Sequence, residues 1–156
     1  MKRGNGGFTL IEMMVALVIG SLMTMMALPN FVQMREIYRL RGATQEVYVS
    51  LQRARMAAIK ENNGYRVYLA GGTTIILHDD LNSDGVEDAG EPIIQRNVAA
   101  DALGVTMTGM SAASAVTFRQ NGTALISGGI TTITVTNTSG YSKQLIVSPA
   151  GRITIS

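Results

Sequence analysis

The chain has 156 residues, a length that suits one domain, and its formal net charge of +2 is too small to imply a polyanionic partner. It contains no cysteine, which excludes a disulfide framework, thiol catalysis and thiolate metal sites. Charge is distributed unevenly: residues 8 to 28 carry a single charged side chain, Glu12, and nearly all the others lie beyond Pro29.

Residues 1–7, Met-Lys-Arg-Gly-Asn-Gly-Gly, are short, basic and glycine-rich. The apolar run that follows, residues 8–28, would form a helix roughly 30 Å long, about the thickness of a bilayer core. Lys2 and Arg3 favour leaving that end in the cytoplasm, with the rest of the chain across the membrane. An ordinary secretory signal fits poorly, because Met25, Met26, Ala27 and Leu28 lead into Pro29 with no small-x-small cleavage site. Glu12 is the feature that a plain anchor does not explain. A carboxylate in such a span costs ~2.5–3.5 kcal/mol at the bilayer centre and less near the interface, so it calls for a partner. Pro29 has no N–H and crowds the preceding turn, which predicts a kink or local melting there.

Gly7-Phe8-Thr9-Leu10-Ile11-Glu12 closely resembles the processing motif of type IV prepilins. The resemblance implies a leader of residues 1–7, cleavage between Gly7 and Phe8 by a prepilin peptidase, and N-methylation of Phe8. It implies that residues 8–29 form a transmembrane helix that later enters a filament core, with Glu12 pairing to the N-terminal amine of a neighbouring subunit. Glu12 and Pro29 both match family positions counted from Phe8. The implied location is the inner membrane, single-pass with a periplasmic head, and then a filament. A simple membrane-anchored periplasmic protein that never assembles is a competing reading.

Residues 30–63 read as an amphipathic helix. Val47, Leu51, Ala54 and Ala58 recur at helical spacing on one apolar face, and Asn62-Asn63-Gly64 is a stop. Gly42 is a weak point, costing ~1 kcal/mol against alanine. Arg35, Arg39, Arg41, Arg53 and Arg55 read as a solvated face or as contacts to neighbouring subunits rather than a nucleic-acid stripe. The run from Leu51 through Arg53-Ala54-Arg55 to Ala58-Ile59 resembles a segment of the GspH/FimT branch of minor pilins and pseudopilins.

From residue 64 to 156 the pattern changes to period two with β-branched residues. Strands are expected at 65–69, 73–78, 93–98, 105–108, 115–119, 123–126, 131–137, 143–148 and 152–155, with Asn121-Gly122 as a tight hairpin turn. The fold class is α+β: a long N-terminal helix packed on an antiparallel, β-sandwich-like, pilin-like head. Residues 118–122 and 145–153 resemble the carboxy-terminal region of the GspH/FimT domain. That resemblance implies a minor structural subunit of a type IV pilus or a type II secretion pseudopilus, with other pilins or pseudopilins as partners. The alternative function the resemblance implies is a DNA-binding FimT-like minor pilin of natural transformation, since some of these take up DNA and carry a Gly-Arg-x-Arg segment associated with uptake. Here it reads Gly151-Arg152-Ile153-Thr154, so Arg152 is left as the nucleic-acid candidate and DNA is not an expected partner.

Residues 80–91 hold the one constellation with site chemistry. Counted from Asp80, side-chain oxygens fall at positions 1, 3, 5, 9 and 12 (Asp80, Asn82, Asp84, Asp88, Glu91), Gly85 falls at 6, and Val86 offers its carbonyl at 7. That is the spacing of a calcium loop, and hard oxygens favour Ca²⁺ over Zn²⁺. The flanks read as strands, so this is an EF-like loop in a β-hairpin, with a structural ion, or else a solvated acidic loop. No enzyme is expected. His78 beside Asp79 reads as structural or surface, no serine sits in a nucleophile-elbow context, and the ten methionines read as soft packing.

Overall fold

The computed structural model describes residues 7–82, 88–126 and 131–156, the side chains of residues 27–30 and Asp101 excepted. Helix α1, Leu10–Glu61, is 52 residues long. It passes through Pro29 as helix, so of the kink or local melting expected there the melting does not occur; a proline costs a helix one intrahelical bond without having to end it. The chain divides into two compact units, residues 1–35 and 36–156.

In the first unit every described side chain is exposed, including Phe8, Leu10, Ile11, Leu17, Leu22, Phe31 and Val32. So large an apolar surface calls for lipid or for other helices around it. Its hydroxyls are satisfied inside the helix: Ser21 Oγ donates to the Val18 carbonyl and Thr24 Oγ1 to that of Gly20, each at 2.8 Å. That arrangement suits a medium with no water to bond them.

In the second unit the amphipathic face of α1 is buried as the periodicity requires: Leu40, Ala43, Val47, Leu51, Ala54 and Ala58 all lie in the core. The helix stops where Asn62 turns left-handed (φ 55°) and the Asn63 amide returns to the Ala58 carbonyl. Among the described residues nine strands follow: β1 (Gly64–Ala70), β2 (Thr74–Asp80), β3 (Ile93–Asn97), β4 (Val105–Thr108), β5 (Val116–Phe118), β6 (Ala124–Ile126), β7 (Thr131–Asn137), β8 (Ser142–Val147) and β9 (Ile153–Ile155). Each expected strand is present, with ends shifted by no more than two residues. A short helix α2, Val98–Asp101, takes the position expected for the end of β3, because the Asn97 side chain caps it by accepting the Ala100 amide. A 3₁₀ turn, Ala112–Ser114, was likewise unexpected.

The strands form two antiparallel sheets, ordered β3-β2-β1-β5-β6 and β4-β7-β8-β9. Both point their inner residues at α1: Val67, Leu77 and Phe118 from the first, Val135, Leu145 and Val147 from the second, in one continuous core. Asn121-Gly122 does turn the β5–β6 hairpin, but in a three-residue loop. Gly122 sits at φ 77° and its amide bonds the Arg119 carbonyl, which closes the tight hairpin.

Turns of both sheets meet α1 around the Gly122 carbonyl. Arg55 Nε donates to the Gly122 carbonyl at 3.0 Å, and the Ala124 amide bonds the Pro149 carbonyl. Gly151 closes the β8–β9 turn against the same carbonyl: a Cβ at Gly151 would fall 2.0 Å from Gly122 O and 3.1 Å from Arg55 Nε. The Leu51–Ile59 segment and the two glycine-bearing turns therefore meet physically. A hydrogen bond to a charged donor contributes about 1.5–3 kcal/mol, and Arg55→Gln is expected to lower the free energy of unfolding by that amount in denaturant titration.

Candidate assembly segment and acidic loop

Gly7 and Phe8 precede α1 in non-helical backbone, and Phe8 is 78% exposed. Thr9 is the N-cap. Its Oγ1 accepts the Glu12 amide at 3.3 Å, and Glu12 Oε2 accepts the Thr9 amide at 3.4 Å. This is a capping box, in which two amide donors of the first turn are satisfied reciprocally. The carboxylate is placed where the helix dipole favours it. One accepted N–H leaves most of its lone pairs available to a further donor. The Thr-x-x-Glu spacing carries the signal for this box in the sequence, where Glu12 was read only as needing a partner on another subunit.

The acidic loop hangs from β2. His78 is fully buried, and its Nε2 lies 2.6 Å from Glu91 Oε2. The same oxygen accepts the Asp88 amide at 3.1 Å, while Oε1 accepts the Leu81 amide at 2.9 Å. Glu91 therefore closes the loop with donors of its own chain. These hold its carboxyl below the ordinary value: the Asp88 amide contributes most, burial opposes it, and His78 and the Leu81 amide add to it. Asn82 Nδ2 bonds Asp88 Oδ2 at 2.9 Å, and Asp80 is 1% exposed beside these groups. Asp84 and Val86 lie outside the described residues. Among the described residues no three histidine or carboxylate side chains converge as a metal would need.

His78 is thus a buried structural residue, and its pairing with Glu91 escaped the sequence reading because it depends on the register of β2 with β3. Arg152 is exposed in the β8–β9 turn, with its amide on Ser148 Oγ. Thr154 follows, half-buried, in β9.

The family model for type II transport protein GspH matches residues 43–151, which include Arg55, Gly122 and Gly151. The model for the prokaryotic N-terminal methylation motif matches residues 2–28. The fold is similar to that of the type IV minor pilin FimU of Pseudomonas aeruginosa, seen in two crystal forms. One has 23% identity and a TM-score of 0.58 over 75% of this chain and 92% of that one. The other has 25% identity and a TM-score of 0.59 over 78% and 90%. No curated protein matches the chain.

The lowered Glu91 carboxyl has a consequence for acid stability. A group depressed in the folded state contributes stability above its ordinary value of 4.5, and loses it as pH falls through the folded value. Glu91→Gln is expected to lower the melting midpoint at pH 7 and to flatten its decline below about pH 4.5, read by thermal melts across that range.

Proposed function

Because the chain belongs to the family of type II transport protein GspH and carries the prokaryotic N-terminal methylation motif, we propose that it is a minor pilin-like structural subunit of a type IV pilus or type II secretion pseudopilus. The observation that carries this reading is the N-terminal half of α1, apolar on all sides and exposed along its described length, in a chain whose head closes its own core. Such a helix needs lipid first and the helices of neighbouring subunits afterwards.

In this reading prepilin peptidase cuts between Gly7 and Phe8, Phe8 is methylated, and the subunit waits in the inner membrane as a single-pass protein with a periplasmic head. Cleavage creates an amine one residue before the Thr9–Glu12 box. Glu12, already holding its own helix end, has acceptor capacity for the Phe8 amine of the next subunit, and the two buried charges offset one another. The protein's work is to pack and to be packed upon, with no chemistry of its own.

The acidic loop carries a secondary proposal, a structural Ca²⁺ held by Asp80, Asn82, Asp84, Val86, Asp88 and Glu91. Its support is the ligand spacing. Recruiting Glu91 would take its oxygens from His78 and the two amides.

Two measurements test these readings. Intact mass from the host membrane should equal residues 8–156 plus one methyl group, and Glu12→Ala should reduce filament incorporation several-fold while the head melts unchanged. A full-length mass, or unaffected incorporation, overturns the assembly reading. For calcium, the melting midpoint should fall when EDTA is added, and a midpoint indifferent to calcium overturns the site.

A further inference from the structure

The sheet order leaves β3 at the edge of the five-stranded sheet, and all of its residues are exposed. Only alternate residues of its backbone are engaged. The Asp79 amide bonds the Pro92 carbonyl at 3.0 Å, and the Val98 amide bonds the Thr73 carbonyl at 2.9 Å. By the antiparallel alternation, Ile94 and Arg96 then turn their amides and carbonyls to β2, while Ile93 and Gln95 turn theirs out of the sheet. An open edge accepts another strand unless charge or proline guards it. The charge that β3 carries is drawn aside, because Arg96 donates through Nε and Nη2 to Glu46 Oε1 at 3.0 and 2.8 Å.

This strand also overhangs α1. Ile94 pairs with Leu77 and shares its face of the sheet, yet Ile94 is 55% exposed where Leu77 is 5%. A cavity of about 180 Å³ lies there, with Leu77 and Ile94 on the sheet side and Ser50, Arg53, Ala57 and Glu61 on the helix side. Ser50 Oγ is buried with no hydrogen-bond partner among the described residues. Arg53, three positions on and so on the same side of the helix, is exposed and enters no ion pair among the described residues. Glu61, at the other end, already accepts the Tyr65 hydroxyl. The groove therefore offers unused donors at its Ser50–Arg53 end and an apolar wall beside Ile94.

We propose that the outer edge of β3 receives an extended segment of a different protein chain, with an aliphatic side chain beside Ile94 and, two residues away, a carboxylate at Arg53. The outward amides and carbonyls of Ile93 and Gln95 call for an extended backbone, and alternation along the added strand sends every second side chain into the groove. Charge complementarity points away from a second copy offering one of its own edges, since the edge strands β3, β4, β6 and β9 carry no acid between them. The inference goes beyond the assembly reading, which concerns the N-terminal half of α1, and its test has no filament readout, so either can fail without the other.

The test follows amide hydrogen exchange by NMR in the full chain in detergent micelles, with millimolar capped peptide Ser-Thr-Val-Thr-Glu-Thr-Ser as the probe. Exchange at Ile93 and Gln95 should slow on adding the peptide, while the amides of β6, at the opposite edge of the sheet, stay as they were. The same peptide with lysine in place of glutamate should bind about fivefold more weakly, and Arg53→Glu should reverse that preference with the melting midpoint unchanged. No slowing at Ile93 and Gln95, slowing at β6 instead, or a preference indifferent to Arg53→Glu overturns the proposal. Slow exchange at Ile93 and Gln95 before any peptide is added, quickening as the chain is diluted, would assign the edge to a second copy and overturn it equally.

Discussion

The head is organised by one constraint, that two sheets must share a single strip of helix. The strip is the buried face of α1 from Leu40 to Ala58, with Val47, Leu51, Ala54 and Ala58 sealed from solvent. Five strands close over it in one sheet and four in the other. Between the sheets the backbone links are few: the Ala124 amide to Pro149, the Met107 amide to Gly72, and the carbonyl of Gly122 held by Arg55. The remaining cohesion comes from inner residues meeting over the helix, so the face of α1 sets where both sheets sit. The hydrophobic driving force is non-directional and selects the face. Arg55 and the two glycine-bearing turns supply the direction.

Charged groups follow a second rule. Several carboxylates are met by hydrogen-bond donors of the same chain. Glu91 takes two amides and an imidazole, Glu46 takes a guanidinium, and Glu12 takes the Thr9 amide. The energetic penalty for a buried charge falls steeply once hydrogen-bond donors surround it, which lets acids stand inside a loop or beside an apolar span. At Glu91 the donors are geometrically satisfied without an ion. At Glu12 one accepted amide leaves acceptor capacity unused.

Most of the architecture could be read from the chain. The strands were legible because alternation with β-branched residues is a strong local pattern; Thr131–Asn137, with Ile133 and Val135 inward, is the clearest case. The helix face was legible for the same reason. What escaped was short or non-local. The helix α2 is one turn long and hinges on the Asn97 side chain. The packing of the β8–β9 turn against the Asn121-Gly122 turn is non-local and left no mark in the linear pattern. In the acidic loop the spacing of oxygens was visible, but their use was not: whether Glu91 faces a cation or His78 depends on strand register, which a linear pattern does not encode. The processing motif was legible as a resemblance, while the capping box inside it was a local rule left unread.

The contact between Arg55 and Gly122 spans 67 positions, and Gly151 reaches the same spot only after β8 has formed. Likewise β1 finds its partner β5 only once residues 116–118 exist, long after β2 has paired on its other side. Synthesis therefore delivers the membrane helix first and the seal last. For the interval between, the molecule is a tethered chain with one hairpin made and the core face of α1 uncovered. Non-local closure of this kind is slow, and an uncovered core is what proteases and aggregation act upon. The anchor turns that interval into a two-dimensional problem: each unfinished head is held at a surface, at a distance from its neighbours set by how densely the membrane is populated rather than by free diffusion.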